Sequence, residues 1–170
     1  MHRLVVGETG CGKSRMLREI IIPEWIRRGH PVCVLDPLSQ PWRATYQTTD
    51  PHDWLDTLRR SKGCIGVWDE CGNMCEEEPA LKRELNYAAT VSRNDGHLVY
   101  FVGQRLYQIP PTFRNQCSWS YLFRLRGRRD VQEAADLFPD QGVAESLPGL
   151  DYGECFLLRP FKKPVKTRIF

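Results

Sequence analysis

Eight residues near the start of the chain set the frame for everything after them. Gly7-Glu8-Thr9-Gly10-Cys11-Gly12-Lys13-Ser14 spells G-x-x-x-x-G-K-[ST]. Glycines let successive backbone N–H groups curl around a phosphate with no Cβ in the way. A helix opening near Lys13 adds the positive end of its dipole to the same anion site. The Lys13 ammonium then bridges the β- and γ-phosphates of ATP, and the Ser14 hydroxyl ligates Mg²⁺. All eight residues, Gly7 through Ser14, are candidate nucleotide contacts. Cys11 fills a variable position, where packing is a simpler role for its thiol than reactivity.

Such a loop needs a strand before it and a helix after it, and the chain supplies both. Arg3–Val6 reads as a strand. A helix follows from Lys13 to about Arg28, with Gly29 ending it and Pro23 predicting a kink or an early stop. Further strands are expected at Pro31–Leu35, Cys64–Trp68, His97–Val102 and Ser118–Leu125. Residues 36–50 read as loop. A helix starts at Asp50-Pro51, with Asp50 as N-cap, and another runs from Pro79 to about Arg93. Asp130 and Glu133 have the spacing of a capping box for a helix to about Phe138. Tyr152–Leu158 and Val165–Phe170, flanking Pro160-Phe161-Lys162-Lys163-Pro164, read as a hairpin. Alternating strands and helices predict an α/β domain with a mostly parallel central sheet, helices on both faces and a C-terminal β-hairpin. The 170 residues suit a single domain, with its core in 2–138 and a helix-plus-hairpin extension in 140–170.

Two more sites sit at strand ends, where open parallel sheets bind their ligands. Cys64-Ile65-Gly66-Val67-Trp68 runs into Asp69-Glu70. Strand alternation sends the two carboxylates in different directions, so Asp69 is assigned to Mg²⁺ through water and Glu70 to the attacking water. The next strand ends Val102-Gly103-Gln104-Arg105, which puts the neutral amide of Gln104 where a γ-phosphate would be sensed.

Composition narrows the setting. Mean hydropathy is −0.47, and apolar runs such as Leu98–Val102 fall far short of the ~20 residues of a membrane helix. The first residues are too quickly glycine-rich for a signal peptide, so a soluble intracellular domain is expected. Residues 1–104 carry 13 basic and 14 acidic side chains, and 105–170 carry 11 and 7, a bias compatible with a polyanion partner. Seven cysteines include no Cys-x-x-Cys pair. Cys71-x-x-x-Cys75 with Cys64 lacks a histidine at finger spacing, so reduced thiols are favoured over zinc ligands.

Taken in order, these motifs resemble the FtsK/HerA superfamily of P-loop motor ATPases, whose fold is RecA-like. The resemblance rests on the loop Gly-x-Thr-Gly-x-Gly-Lys-Ser and on Asp36-Pro37 after the second strand. It rests also on the acidic pair Asp69-Glu70, and on Asn94-Asp95-Gly96-His97-Leu98-Val99 leading to Gly103-Gln104-Arg105, with Gly103 where Thr is usual. It covers most of residues 2–138. With no domain expected before the first strand and no winged-helix segment after the core, it is closest to the genome-packaging ATPases of tailless viruses and bacteriophages. It implies Mg-dependent ATP hydrolysis coupled to DNA translocation, and a ring, a hexamer in this family, with an arginine acting in trans. Arg93 is the first choice for that arginine, ahead of Arg128 and Arg129. It further implies capsid-vertex or portal partners, and a location in the host cytoplasm or at a packaging vertex of the virion.

A ring that grips DNA without reading sequence needs cationic or aromatic loops. Trp42 and Arg43 in Pro41–Tyr46, and Arg126, Arg128 and Arg129 in the densest cationic segment, are the candidates. Two other functions fit the same phosphate loop: a Zot-like phage assembly or secretion module, and a small-molecule kinase. Glu70 beside the metal acid, with Gln104 at the next strand end, suits water activation better than transfer to a bound acceptor.

Overall fold

The computed structural model describes residues 1–77, 79–139 and 141–170, with the side chains of 75–80 and 141 outside the description. Its elements in order are β1 (His2–Val6), α1 (Lys13–Met16), a π-helical segment (Leu17–Ile21), α2 (Ile22–Arg27), β2 (Val32–Leu35), β3 (Tyr46–Thr48) and α3 (Pro51–Arg60). Then come β4 (Ile65–Trp68), α4 (Cys71–Glu77), α5 (Pro79–Thr90), β5 (Leu98–Gly103), α6 (Pro111–Asn115) and β6 (Cys117–Leu122). The chain continues through α7 (Arg128–Leu137), α8 (Gln141–Ser146), β7 (Glu154–Arg159) and β8 (Lys162–Arg168). The strands form one sheet in the order β3-β2-β4-β5-β1-β6-β7-β8. The first six are parallel, and β7 and β8 are antiparallel additions to the β6 edge.

Strand alternation divides the core into two layers. Leu4 and Val6 of β1, Cys33 and Leu35 of β2, Trp68 of β4 and Phe101 of β5 face the layer covered by α3, α5 and α7. Val5, Val32, Val34, Val67, Tyr100 and Val102 face the layer covered by α1 and α2. Near-continuous apolar runs are what a parallel sheet buried on both faces requires. An aromatic cluster lies in the first layer: Trp68 packs against Trp54 at 5.9 Å, Phe101 at 6.0 Å and Phe113 at 5.5 Å. Each such pair contributes ~0.5–1.5 kcal/mol beyond its buried area. Because Trp68 ends β4, this packing fixes the backbone from which Asp69 and Glu70 depart.

Several expectations change on contact with the tertiary structure. Pro23 does not stop its helix, which continues to Arg27. The preceding π segment widens the turn, so the N–H that proline lacks is not needed at its α-helical position. Residues 36–50 are not all loop, since Tyr46–Thr48 forms an edge strand on β2. Three residues are too few to carry a readable period. The capping box is absent: Gly127 is the N-cap of α7, and the carboxylates of Asp130 and Glu133 are taken elsewhere. Asp130 is buried and accepts from the Leu106 N–H at 2.7 Å and from Arg105 at 3.2 Å, while Glu133 pairs with Arg114 at 2.6 Å. The hairpin turns over Pro160-Phe161 alone, and Pro164 sits inside β8. An edge strand tolerates that missing donor.

Candidate functional site

The phosphate loop leaves the carboxyl end of β1, and two backbone hydrogen bonds hold its start. Gly7 N–H donates to the Gly103 carbonyl at 3.3 Å, and Glu8 N–H to the Arg124 carbonyl at 2.9 Å. A Cβ on Gly7 would lie 2.5 Å from Phe123 Cβ and 2.8 Å from Cys11 Sγ, so only glycine fits there. Gly10 and Gly12 have φ of 75° and 109°, which a side chain would strain. Cys11 is buried, and burial pushes its thiol up. It packs rather than reacts. The Glu8 carboxylate turns away from the cavity to accept from the Arg126 N–H at 2.8 Å, and it lies 3.6 Å from Arg124. Its N–H and carboxylate are therefore spent on the 124–126 segment, which narrows the expected role of Glu8 to loop support.

Lys13 is buried, with its ammonium on the Gly7 carbonyl at 2.5 Å and the Glu8 carbonyl at 3.0 Å. No side chain caps α1, so the N–H groups of its first turn are left for an anion. Across the cavity, Asp69 and Glu70 follow β4. Their divergence comes from a turn rather than from strand alternation. Glu70 has φ of 54°, a left-handed conformation that costs a non-glycine residue ~1 kcal/mol or more. Its carboxylate accepts from Gln104 Nε2 at 2.8 Å and lies 3.5 Å from Asn73 Nδ2. Gln104 in turn accepts from Thr9 Oγ1 at 2.7 Å. A hydrogen-bonded relay thus runs from the phosphate loop through the end of β5 to the acid after β4.

Asp69 is buried, and its pKa is pushed up to about 7. Burial is the main cause, followed by the nearby carboxylates of Glu70 and Asp36. Lys13 acts in the opposite direction. Asp36 is fully buried and accepts from the Leu38 and Gln40 N–H groups at 2.8 and 2.7 Å, and from Trp42 Nε1 at 2.7 Å. Ser14 and Asp69 bring only oxygen donors to one cavity, the set a hard divalent cation takes. A cation would also relieve the crowded carboxylates, so these residues fit Mg²⁺.

The cavity measures about 300 Å³ and is walled by Thr9, Gly10, Gly12, Lys13, Ser14, Asp69, Glu70 and Gln104. It also includes Arg15, Arg18, Leu38, Gln40 and Tyr152, which the sequence did not single out. Asp36-Pro37 was the one signal for the 38–40 wall, because the buried Asp36 folds that loop over the site. Nothing local marked Tyr152, which arrives from the hairpin.

Other candidates lie apart. Arg93 donates to Gln116 Oε1 at 3.3 Å at the amino ends of the strands, opposite the cavity. Within this chain it lies at the opposite strand ends from Lys13 and Glu70. Trp42 is fully buried in the α1/α2 layer, and the Arg18 guanidinium lies 5.7 Å from its ring centroid. It therefore cannot stack on a base, and its expected contact with nucleic acid is corrected. Trp42 is accommodated in the core because its indole N–H finds a buried acceptor, Asp36, six residues earlier in the chain. Arg43, Arg126, Arg128 and Arg129 are exposed, with Arg129 4.2 Å from the Tyr107 ring centroid. Cys64 and Cys71 are buried, and the Cys75 side chain lies outside the described residues. Among the described residues no helix is long and apolar enough to cross a membrane.

A phosphate loop after β1, an amide after the adjacent β5 and an acid after β4, one strand further on, define the RecA-like P-loop NTPase fold. The structure matches that of the DNA-packaging ATPase B204 from Sulfolobus Turreted Icosahedral Virus with a TM-score of 0.81, at 12% identity, over 99% of this chain and 97% of that one. The genome packaging NTPase B204 from Sulfolobus turreted icosahedral virus 2, in complex with AMPPCP, matches at 0.80 and 14% identity, over 99% and 96%. The pCW3 conjugation coupling protein TcpA, with ATPγS, matches at 0.76 and 16%, over 99% of this chain and 60% of that one. The structural neighbours are thus of the FtsK/HerA-like kind, and at these identities the likeness is one of fold. No protein-family model and no curated protein matches the sequence.

Proposed function

We propose that this chain is a Mg-dependent ATPase that translocates nucleic acid, packaging viral DNA. The observation that carries this reading is the relay Thr9–Gln104–Glu70 facing Lys13 across one cavity. Lys13 leaves its two carbonyls and bridges the β- and γ-phosphates. Ser14, and Asp69 through water, would hold Mg²⁺, which would supply positive charge to offset that of the phosphate oxygens. Glu70 takes a proton from the water whose oxygen attacks the γ-phosphorus. The bond to the β–γ bridging oxygen breaks, leaving ADP and phosphate. Gln104 bonds both to Glu70 and to the loop, so loss of the γ-phosphate changes its partners.

The Glu8–Arg126 bond ties the phosphate loop to the exposed cationic segment holding Arg126, Arg128 and Arg129. That supports these arginines, with Arg43, as the non-sequence-specific DNA contacts. Because Arg93 lies on the opposite edge from its own site, it acts only if a neighbouring copy presents it, as in a head-to-tail hexameric ring. Packaging partners at a capsid vertex, and work in the host cytoplasm or at the virion vertex, follow from the same reading. The likeness of fold to B204 supports the packaging reading, while the likeness to the coupling protein TcpA keeps the assembly or secretion module as the alternative.

Glu70→Gln tests the chemistry: it retains ATP and loses turnover by ~10²–10⁴-fold in a phosphate-release assay. Unchanged hydrolysis would remove Glu70 from the mechanism. The motor reading predicts that DNA stimulates phosphate release and that native mass finds a ring with an ATP analogue. A strict monomer whose hydrolysis is indifferent to DNA would overturn it.

A further inference from the structure

We propose that Tyr152, backed by Phe170, is the platform on which the base of the bound nucleotide stacks, and that the site takes purine nucleoside triphosphates with little preference among them. The inference rests on the nucleotide-binding reading of this cavity and adds the half of the site that the phosphate motifs leave blank.

Strand order supplies the direction. Glu70 and Gln104 follow β4 and β5, on one side of β1, whereas Tyr152 precedes β7, two strands away on the other side. All three line the same cavity around Gly10, Gly12, Lys13 and Ser14. A triphosphate whose γ end faces Glu70 and Gln104 directs its ribose and base away from them, toward Tyr152.

Tyr152 is held for this role. Gly153 N–H donates to the Cys11 carbonyl at 3.0 Å, and Ile169 N–H donates to the Gly153 carbonyl at 2.8 Å. Both strands of the hairpin are thereby pinned to the phosphate loop. Phe170 lies over Gly12, where an added Cβ would come within 3.2 Å of its ring. The Phe170 ring stacks on Tyr152 with centroids 5.9 Å apart and planes at 24°. The Arg15 guanidinium caps Phe170 at 4.2 Å and reaches Tyr152 Oη at 3.4 Å. This braced ring is nonetheless 48% exposed.

The chemistry of the platform sets its selectivity. An aromatic face stacks on any base, and more strongly on the larger purines. The polar neighbour on that side, Arg15, is already engaged by Glu19 at 2.8 Å and by Tyr152. Held there, with its guanidinium over the Phe170 ring, Arg15 braces the stack, and selectivity between purines is expected to be small.

Titrating the wild-type chain, Tyr152→Ala and Tyr152→Phe with ATP, GTP and inorganic tripolyphosphate tests this. Wild type binds ATP and GTP with affinities within a few-fold of each other. Tyr152→Ala weakens both by about tenfold and leaves tripolyphosphate unchanged, whereas Tyr152→Phe binds all three as wild type does. If Tyr152→Ala keeps full ATP affinity while tripolyphosphate still binds, the base platform is wrong and the phosphate site stands. If Tyr152→Ala weakens tripolyphosphate equally, Tyr152 supports the loop rather than the base, and the proposal fails. If wild type binds neither tripolyphosphate nor ATP, the nucleotide-binding reading itself falls.

Discussion

At the amino ends of the parallel strands, buried polar side chains brace the backbone. His97 Nδ1 accepts from the Cys64 N–H at 3.0 Å, and its Nε2 donates to the Leu58 carbonyl at 3.0 Å. His2 Nδ1 accepts from the Val99 N–H at 3.0 Å. Burial pushes the His2 pKa down to about 4, so it stays neutral. At the carboxyl ends the polar groups are arranged differently. Thr9, Gln104 and Glu70 bond to one another, Lys13 rests on two loop carbonyls, and Asp69 is crowded by other carboxylates. Polar groups committed to the backbone stabilise the fold and cannot be released without loss. Groups bonded to one another around a cavity can exchange those partners for a ligand. One sheet thus keeps a locked edge and a releasable edge, and parallel topology puts the second where ligands bind.

Three measurements would break or sharpen that contrast. Lys13→Ala should lower ATP turnover by about 10³-fold or more while the protein remains folded. A loss below tenfold would mean that the releasable edge does not act on phosphate. The next effect concerns Asp69 in nucleotide-free protein. Its carboxyl holds a proton up to about pH 7 when folded, against 3.8 as the ordinary value. Between those values the folded state binds more protons than the unfolded state, so stability falls as pH rises from about 4 to about 7 and then levels off. Asp69→Asn should remove that slope and be more stable above pH 7, by on the order of 4 kcal/mol. Equal pH dependence of denaturant unfolding in the two proteins would contradict the crowded-carboxylate account. The smallest effect belongs to the locked edge. His97→Ala leaves a buried N–H and a buried carbonyl without their partner and should cost about 2 kcal/mol of unfolding free energy. Turnover per folded molecule should stay the same, and a fall in it would dissolve the distinction between the edges.

Much of this was legible in the chain. The phosphate loop, the apolar runs of β1, β2, β4 and β5, and the Asp50 cap, whose Oδ1 accepts from the His52 N–H at 2.8 Å, rest on local chemistry. So does the position of Asp69, Glu70 and Gln104 at strand ends. The misreadings of Trp42, Asp130 and Glu133 share a cause, which is a partner outside the local pattern. Trp42 is core because Asp36 and the α1/α2 layer receive it. Asp130 and Glu133 are drawn from the helix cap by Arg105, Leu106 and Arg114.

By itself, then, the sequence determined the parallel α/β frame and the conformation of the glycine-rich loop after β1, because strand periodicity and glycine geometry act over a few bonds. The tertiary structure decided how those residues are poised. It set the relay from Thr9 to Glu70, the protonated tendency of Asp69, the burial of Trp42 and the arrival of Tyr152 from the hairpin. These depend on burial and on contacts across many tens of residues, and no window of sequence carries the field or the solvent exclusion that the folded chain creates.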